Sequence, residues 1–396
     1  MQCIYIKFNE FIKATQYGYT ADETSSNDGD AKYLRITDIV PYFIDKSSVP
    51  FCKISNNKKE KYLVKDGDLL IARTGATTGY NIVIDSSFDN FIFASYLIRF
   101  YYNREKLHPQ YLKYVLKSQQ WYGFIKNYIS GSAQPGMNAK AFGKFNVPYF
   151  DYHIQIKIAN ILSNYDNLIE NNNKRIKLLE QMAENLYKEW FVRFRFPGYE
   201  NVEFEEKEPK GWQVGTEKVK RFAPTTFLYD EFIKIGSFVR GKNITTAQMI
   251  DGEIPVISAG LQPSGYHKEA NVFGTSLTIS ASGANAGYLQ YHLSDIWAAD
   301  CSYYQDRKTI WFVYNTLKYL QPVISNLQCG AAQPHVYPKN INKLCVLIPT
   351  KELIEKYNDC VSSYYQEIQL LNQNNKLLIK QRDMLLPRLM SGKLEV

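Results

Sequence analysis

The chain has 396 residues, 45% of them hydrophobic, and 47 Lys and Arg against 39 Asp and Glu leave a formal charge of +8. That composition supports packed cores, excludes a disordered polyampholyte and, at this length, predicts two or three domains. No apolar run approaches 18 residues, which excludes a membrane-spanning helix, and the modest basic excess suits a polyanionic partner without demanding one.

The first residues, Met1-Gln2-Cys3-Ile4-Tyr5, lack the charge-then-apolar order of a signal peptide. The six cysteines (Cys3, Cys52, Cys301, Cys329, Cys345 and Cys360) are scattered, with no Cys-x-x-Cys pair. Together these features predict reduced thiols and a cytoplasmic location.

The first strand-like run is Asp68 to Arg73. It leads into a glycine loop, Ile71-Ala72-Arg73-Thr74-Gly75-Ala76-Thr77-Thr78-Gly79-Tyr80. Pro109 opens a helical stretch through Leu116, at the first helical position where its missing N–H costs nothing. Asn146-Val147-Pro148-Tyr149 is one proline short of the motif with which adenine methyltransferases hold an amino group, and it reads as a strand end. A long helix is predicted from about Ile154 to Phe191 and stopped by Pro197-Gly198. The charged run Glu203 to Lys210 then reads as a solvated linker.

The same order then returns. Gly131-Ser132-Ala133-Gln134-Pro135 recurs as Gly330-Ala331-Ala332-Gln333-Pro334, an offset of 199. The glycine loop recurs as Ile279-Ser280-Ala281-Ser282-Gly283-Ala284-Asn285-Ala286-Gly287-Tyr288, offset by 208, after a strand-like Ser276 to Ser280. Asn172-Asn173-Lys174 recurs as Asn374-Asn375-Lys376, offset by 202, within a second long helix predicted from about Leu353 to Leu386. Three matches in one order make the chain an internal repeat: a mixed region of helices and strands, then a long helix, twice.

Both long helices carry heptads. In the first, Ile158, Tyr165, Asn172, Leu179 and Leu186 recur every seven residues, with Ile161, Leu168, Arg175 and Met182 three further on. In the second, Tyr357, Tyr364, Leu371, Leu378 and Leu385 recur, with Val361, Ile368, Asn375 and Arg382 four further on. Sustained heptads predict coiled-coil packing, and an Asn at a seam position, Asn172 or Asn375, weakens the seam while selecting one alignment. At 1.5 Å per residue each helix reaches on the order of 50 Å, the dimension of a spacer.

Catalytic signatures are missing. No two glycines stand two residues apart, so no Gly-x-Gly turn for a nucleotide or S-adenosylmethionine is expected, and the chain reads as lacking the Gly-x-x-x-x-Gly-Lys phosphate loop of a translocating ATPase. The five histidines (His108, His153, His267, His292, His335) show no metal-ligand spacing, and Glu208-Pro209-Lys210 lacks the remainder of a nuclease motif. No cofactor or metal is therefore expected on this chain, and no enzymatic activity.

Two segments carry a family resemblance. Gln155 to Leu162, Glu170 to Ile176 and Leu186-Tyr187-Lys188-Glu189-Trp190-Phe191 resemble the central repeat of type I restriction–modification specificity subunits. Lys380 to Gly392 resembles their distal repeat. The resemblance implies an α+β fold with two target-recognition domains in tandem, separated by two long antiparallel coiled-coil helices in a pseudo-two-fold repeat. On it, recognition domains occupy 1–150 and 213–349, spacer helices 151–191 and 350–390, a linker 192–212 and a tail 391–396. The chain then begins almost directly inside the first recognition domain, without a lead-in strand.

The resemblance further implies a non-catalytic subunit of a DNA adenine methyltransferase and restriction complex, cytoplasmic, that reads a bipartite double-stranded DNA target. Two modification subunits dock on it and restriction subunits can join, with S-adenosylmethionine, Mg and ATP on those partners. Candidate DNA-binding residues in the first repeat are Arg73, Thr74, Gly75, Thr77, Thr78, Ser132, Gln134 and Asn138. In the second they are Arg240, Lys242, Asn243, Ser282, Gly283, Asn285, Gln333 and His335. The reasons are chemical: glycine loops let backbone approach phosphates, and Arg, Gln and Asn can pair with base edges. Spacer and docking candidates are Asn172, Leu179, Trp190, Phe191, Leu371, Asn375, Leu378 and Leu386. A coiled-coil scaffold that binds proteins and no DNA is the alternative, and salt-sensitive DNA binding separates the two.

Overall fold

Apolar residues in Leu69–Ala72 are buried on both faces of one strand, and this places two cores back to back in the first half of the chain. In the computed structural model, Leu69 and Ile71 face a core with Phe100, Tyr111, Trp121 and Phe142. Leu70 and Ala72 face another with Leu34, Phe91 and Phe93. The period of two along a strand makes that division. The structure describes residues 3–21, 23–24, 29–129, 136–210, 213–214, 217–218, 220–327 and 334–396. They form two compact units, residues 1–172 with 374–396, and residues 173–373.

In the first unit, Ile4–Lys7 pairs antiparallel with Asn146–Tyr149. A four-stranded antiparallel sheet follows in the order Ile12–Tyr17, Leu97–Tyr102, Leu69–Ala72, Asn81–Val83. A second sheet runs Glu23–Thr24, Phe51–Cys52, Ala31–Leu34, Phe91–Phe93, its last pair parallel. Helices Pro109–Val115, Gln119–Ile129 and Ala139–Phe142 cover the first sheet's inner face, with Pro109 at the helix start as expected.

The second unit repeats this order. Leu228–Glu231 pairs with Cys345–Ile348, and a sheet runs Val239–Arg240, Cys301–Tyr304, Ser276–Ser280, Leu289–His292. A three-stranded sheet runs Gly265–His267, Ile254–Ile257, Trp297–Ala298, again with one parallel pair. The helices are Ile310–Tyr319, Gln321–Ser325 and Pro338–Asn342. The correspondence supplies one correction: Ile4–Lys7 is the lead-in strand the sequence was read as lacking, the counterpart of Leu228–Glu231. A second concerns the charged run after Pro197. Its Phe204–Lys207 pairs with Arg221–Pro224, and Phe194 and Phe196 are buried, so the stretch belongs to the second unit and is not free linker.

The long helices are Tyr152–Tyr187, prolonged by a π-helical turn at Lys188–Val192, and Lys351–Met390. Within each unit their segments run antiparallel. In the first, Asp166 meets Arg382 (2.9 Å) and Asn172 donates to Asn375 (2.9 Å). In the second, Arg175 meets Glu367 (2.6 Å) and the Tyr357 hydroxyl donates to the Ala183 carbonyl (2.9 Å). Of the heptad positions read in the second helix, Tyr357, Val361, Ile368, Leu371, Asn375 and Arg382 are buried, and Tyr364, Leu378 and Leu385 are half-buried. The heptad reading of the first needs correction. Its companion row lies four residues on, not three: Leu162, Ile169 and Ala183 are buried and Ile176 packs on the core, whereas Leu168 and Met182 are exposed.

A buried amide ties each long helix to the mixed fold of its own unit. Gln155 accepts from the His108 N–H (2.9 Å) and donates to the carbonyls of Lys106 and Phe150. Asn358 accepts from the Trp311 N–H (2.9 Å) and donates to the Arg307 carbonyl. Both amides satisfy the open start of the helix that packs on them.

Candidate nucleic-acid interface

The repeated glycine loops are hairpin turns whose four glycines all take positive φ, and the second glycine of each is crowded as well. Gly75 and Gly79 have φ of 72° and 89°, Gly283 and Gly287 of 74° and 88°, a region that favours residues without a Cβ. A Cβ on Gly79 would stand 2.7 Å from Cγ1 of Ile125, and one on Gly287 3.3 Å from Cγ2 of Ile324. The same helix therefore presses on the same turn in both units. The carbonyl it covers is also used: Trp121 donates to Gly79 O (2.8 Å), and Gln321 to Gly287 O (2.9 Å).

The second repeated loop crosses the first. Met137 N–H donates to Arg73 O in one unit and Val336 N–H to Ala281 O in the other, each at 2.9 Å. Thr74 bridges Gly136, and Ser282 bridges His335. Segments some 60 residues apart in sequence thus meet at one crossing per unit, and most candidate residues gather there. Ser132, Gln134 and Gln333 lie outside the described residues.

At the first crossing, Arg73 is half-buried, donates through Nε to Ser95 O (3.3 Å), and lies 5.2 Å from the Tyr17 ring and 5.9 Å from the Tyr96 ring. Gly75 is exposed, Thr74 and Thr77 are partly exposed, and the Thr77 hydroxyl donates to Thr74 O. Thr78 corrects the expectation of exposure, since it is buried and donates to Gly75 O (2.8 Å). Asn138 is exposed but occupied, capping helix Ala139–Phe142 by accepting from Ala141 N–H (2.9 Å).

At the second crossing, the two Asp300 carboxylate oxygens take Arg240 and the Ser282 hydroxyl. Gly283 and Asn285 are partly exposed, and His335 stacks on Tyr337 at 5.9 Å. Lys242 and Asn243 are exposed, the ammonium of Lys242 lying 6.0 Å from the Trp297 ring. Burial pushes the Cys301 thiol up to about 12 and the His292 imidazole down to about 4, so both are uncharged near neutral pH.

One string corrects the reading that the chain lacks phosphate-loop spacing. Gly236-Ser237-Phe238-Val239-Arg240-Gly241-Lys242 has that spacing up to the lysine, with Asn243 where Ser or Thr would bind magnesium. In the structure Val239–Arg240 is a strand, and the N–H groups of Gly241 and Lys242 donate to Cys301 O and Ala298 O, both at 2.9 Å. Amides committed to a sheet cannot cradle a phosphate. Among the described residues no cluster of His, Cys, Asp or Glu could hold a metal, and no helix is long and apolar enough to cross a membrane.

Tyr17, Tyr96 and Asp300 join these crossings without having been picked out in the sequence. A search for repeats finds identities, and these positions differ between the copies. The docking candidates divide as well. Leu371 is buried, and Leu179 and Leu378 are half-buried. Leu386 is half-buried and lines a cavity of about 560 Å3 with Tyr42, Lys117 and Arg382. Trp190 and Phe191, expected to point outward, are buried against Tyr357, and Phe191 also against Phe312. The π-helical turn swings them into the second unit's core.

Residues 6–181 match the family model described as the type I restriction modification DNA specificity domain. The chain is 28% identical over 306 residues to the type I restriction enzyme MjaIX specificity subunit of Methanocaldococcus jannaschii, covering 72% of this chain and 69% of that one. It is 24% identical over 426 residues to the HindI specificity subunit of Haemophilus influenzae, covering 87% and 91%. A solved structure of the S subunit of a type I restriction–modification system from M. genitalium shares the fold, with a TM-score of 0.56, 17% identity and coverage of 98% and 96%. Along most of its length the chain is similar to type I restriction enzyme specificity subunits, and its residues 6–181 match their DNA specificity domain.

Proposed function

We propose that this chain reads a bipartite double-stranded DNA target, one half with each unit, and presents it to modification subunits that methylate adenine. The observation that carries the reading is the doubled crossing. Two units keep one backbone framework, down to the same hydrogen bonds, while the side chains displayed there differ. A duplicated frame with unlike contents suits two unlike half-sites. The +8 charge favours a phosphate backbone, and Lys242 and Asn243 are free to meet one. S-adenosylmethionine, Mg and ATP belong, in this reading, to the modification and restriction subunits.

Docking is assigned to the outward side of the helix segments, in place of Trp190 and Phe191. In the first unit Leu168, Leu377 and Met384 are exposed there, and in the second Leu178, Met182 and Leu370. Leu370, Leu377 and Met384 recur every seven residues, a second apolar row beside the buried seam. One modification subunit on each unit's segment accounts for two per complex.

The chain is to be co-expressed with its modification subunit in a host free of adenine methylation, and modified adenines mapped by single-molecule sequencing. One two-part motif with a fixed gap is expected; no new methylation from a stable complex would sink the recognition reading. Leu377→Glu with Met384→Glu is expected to remove one modification subunit from the assembly by native mass, and Leu178→Glu with Leu370→Glu the other. Helix content should be unchanged in both. Full assemblies from both double variants would refute the docking row.

A further inference from the structure

Strand register makes the two crossings comparable residue by residue. In the first unit Ile98 stands opposite both Tyr17 and Ile71; in the second Ser302 stands opposite both Arg240 and Ile279. Arg240 therefore occupies the place of Tyr17. Arg73 N–H donates to Tyr96 O, and Ala281 N–H to Asp300 O, so Asp300 occupies the place of Tyr96 and Ala281 that of Arg73. One location holds Tyr-Arg-Tyr in one unit and Arg-Ala-Asp in the other.

Their chemistry is opposed. Arg73 lies within reach of two exposed tyrosine rings, and among the described residues it meets no carboxylate. Rings near a guanidinium limit its orientation, and with Nε held by Ser95 O the terminal nitrogens remain as a bidentate donor pair. In the second unit the arginine is neutralised. Asp300 holds Arg240 and Ser282, and each carboxylate oxygen keeps a further lone pair for a donor from outside.

We propose that this location is the base-discriminating position of each unit: Arg73 takes the O6 and N7 acceptors of a guanine, and Asp300 takes the exocyclic amine of a cytosine or adenine. The proposal rests on the bipartite reading above and goes further by assigning which residue sorts which edge. The major groove distinguishes these edges by their donor and acceptor order, and a wrong base costs roughly ten- to a hundred-fold. A carboxylate also repels the phosphates around it, so Asp300 rejects bases that offer it no amine.

The test uses the full chain in complex with its modification subunit, as Arg73→Gln, Arg73→Lys and Asp300→Asn. Methylated motifs are mapped, and affinity is measured for duplexes varied one base pair at a time. Arg73→Gln is expected to relax one guanine in one half-site by about ten-fold or more. The other half-site and the gap should stay as they were. Asp300→Asn is expected to alter one position of the other half-site alone. Should methylation be lost in a variant, the duplex affinities give the same answer. A wild-type chain without a two-part motif would defeat the bipartite reading itself. A wild-type motif that Arg73→Gln leaves unchanged overturns this proposal, as does a uniform loss on all sequences with a salt slope reduced by about one, the mark of a phosphate contact.

Discussion

Asp166→Asn is expected to destabilise the first unit by about 3–5 kcal/mol, the cost of leaving a buried charge without its partner. Asp166 is buried at the seam and accepts from Tyr42 (3.0 Å), Lys113 (2.9 Å), Tyr114 (2.8 Å) and Arg382 (2.9 Å). Those donors come from a loop, helix Pro109–Val115 and the opposing long helix, so one carboxylate joins three parts of the unit. Arg382 is itself buried, with its other carboxylate, Asp383, exposed. Asparagine keeps the shape but removes the charge and turns an amide N–H toward donors. Denaturant unfolding measures the loss. Asp166→Leu with Arg382→Met should recover part of it, because the buried arginine is removed with its partner and the partly exposed Lys113 can turn to solvent.

The same carboxylate sets an acid limit. Burial raises its pKa, but the Lys113 ammonium and the hydrogen bonds from Arg382, Lys113 and Tyr114 outweigh burial and hold it below the usual carboxylate range. A depressed folded value means that the contribution is complete above the unfolded pKa, near 4, and is lost as pH falls through the folded value. Unfolding of the wild type should therefore steepen below about pH 4. Asp166→Asn should flatten that limb, and a parallel acid limb in the variant would show that Asp166 is not its source.

One heptad inserted into each long helix, between 172 and 173 and between 373 and 374, is expected to lengthen the gap between half-sites without altering either. Seven residues add about 10 Å of helix and preserve the seam, because the inserted turns repeat its period. DNA rises about 3.4 Å per base pair, so the gap should grow by one to three pairs. An insertion in one helix alone shifts every later seam pair, parting Asn172 from Asn375 or Arg175 from Glu367, and should cost stability instead. Methylation mapping reads the first result and thermal unfolding the second. A changed half-site with an unchanged gap would refute the spacer role of the helices.

Much of this was legible because its signals are local or periodic. The glycine turns were visible from their recurrence; φ near +70° to +90° disfavours a side chain at all four glycines, and Ile125 and Ile324 also crowd Gly79 and Gly287. Seam positions of the second helix followed from spacing alone. The asparagine interruptions were recognised as register-setting residues, and Asn172 does pair with Asn375. Pro109 marked a helix start wherever the helix was to pack.

Other features required the third dimension. On the first helix the rows three and four residues beyond Ile158 are both largely apolar, with Arg175 the exception, and both neighbour it. Only the position of the opposing helix buries Leu162, Ile169 and Ala183 and leaves Leu168 and Met182 to solvent. Trp190 and Phe191 look alike as anchors or as core until a π-helical turn aims them inward. The crossing of the two loops in each unit joins residues about 60 apart, and its meaning lies in Tyr17, Tyr96 and Asp300, where the copies differ. Periodicity, turn chemistry and repetition are written along the chain, so the sequence by itself determined the elements, their duplication and the resemblance to specificity subunits. Which face is buried, and which unlike residues meet, depends on partners distant in sequence, and only the tertiary structure decided it.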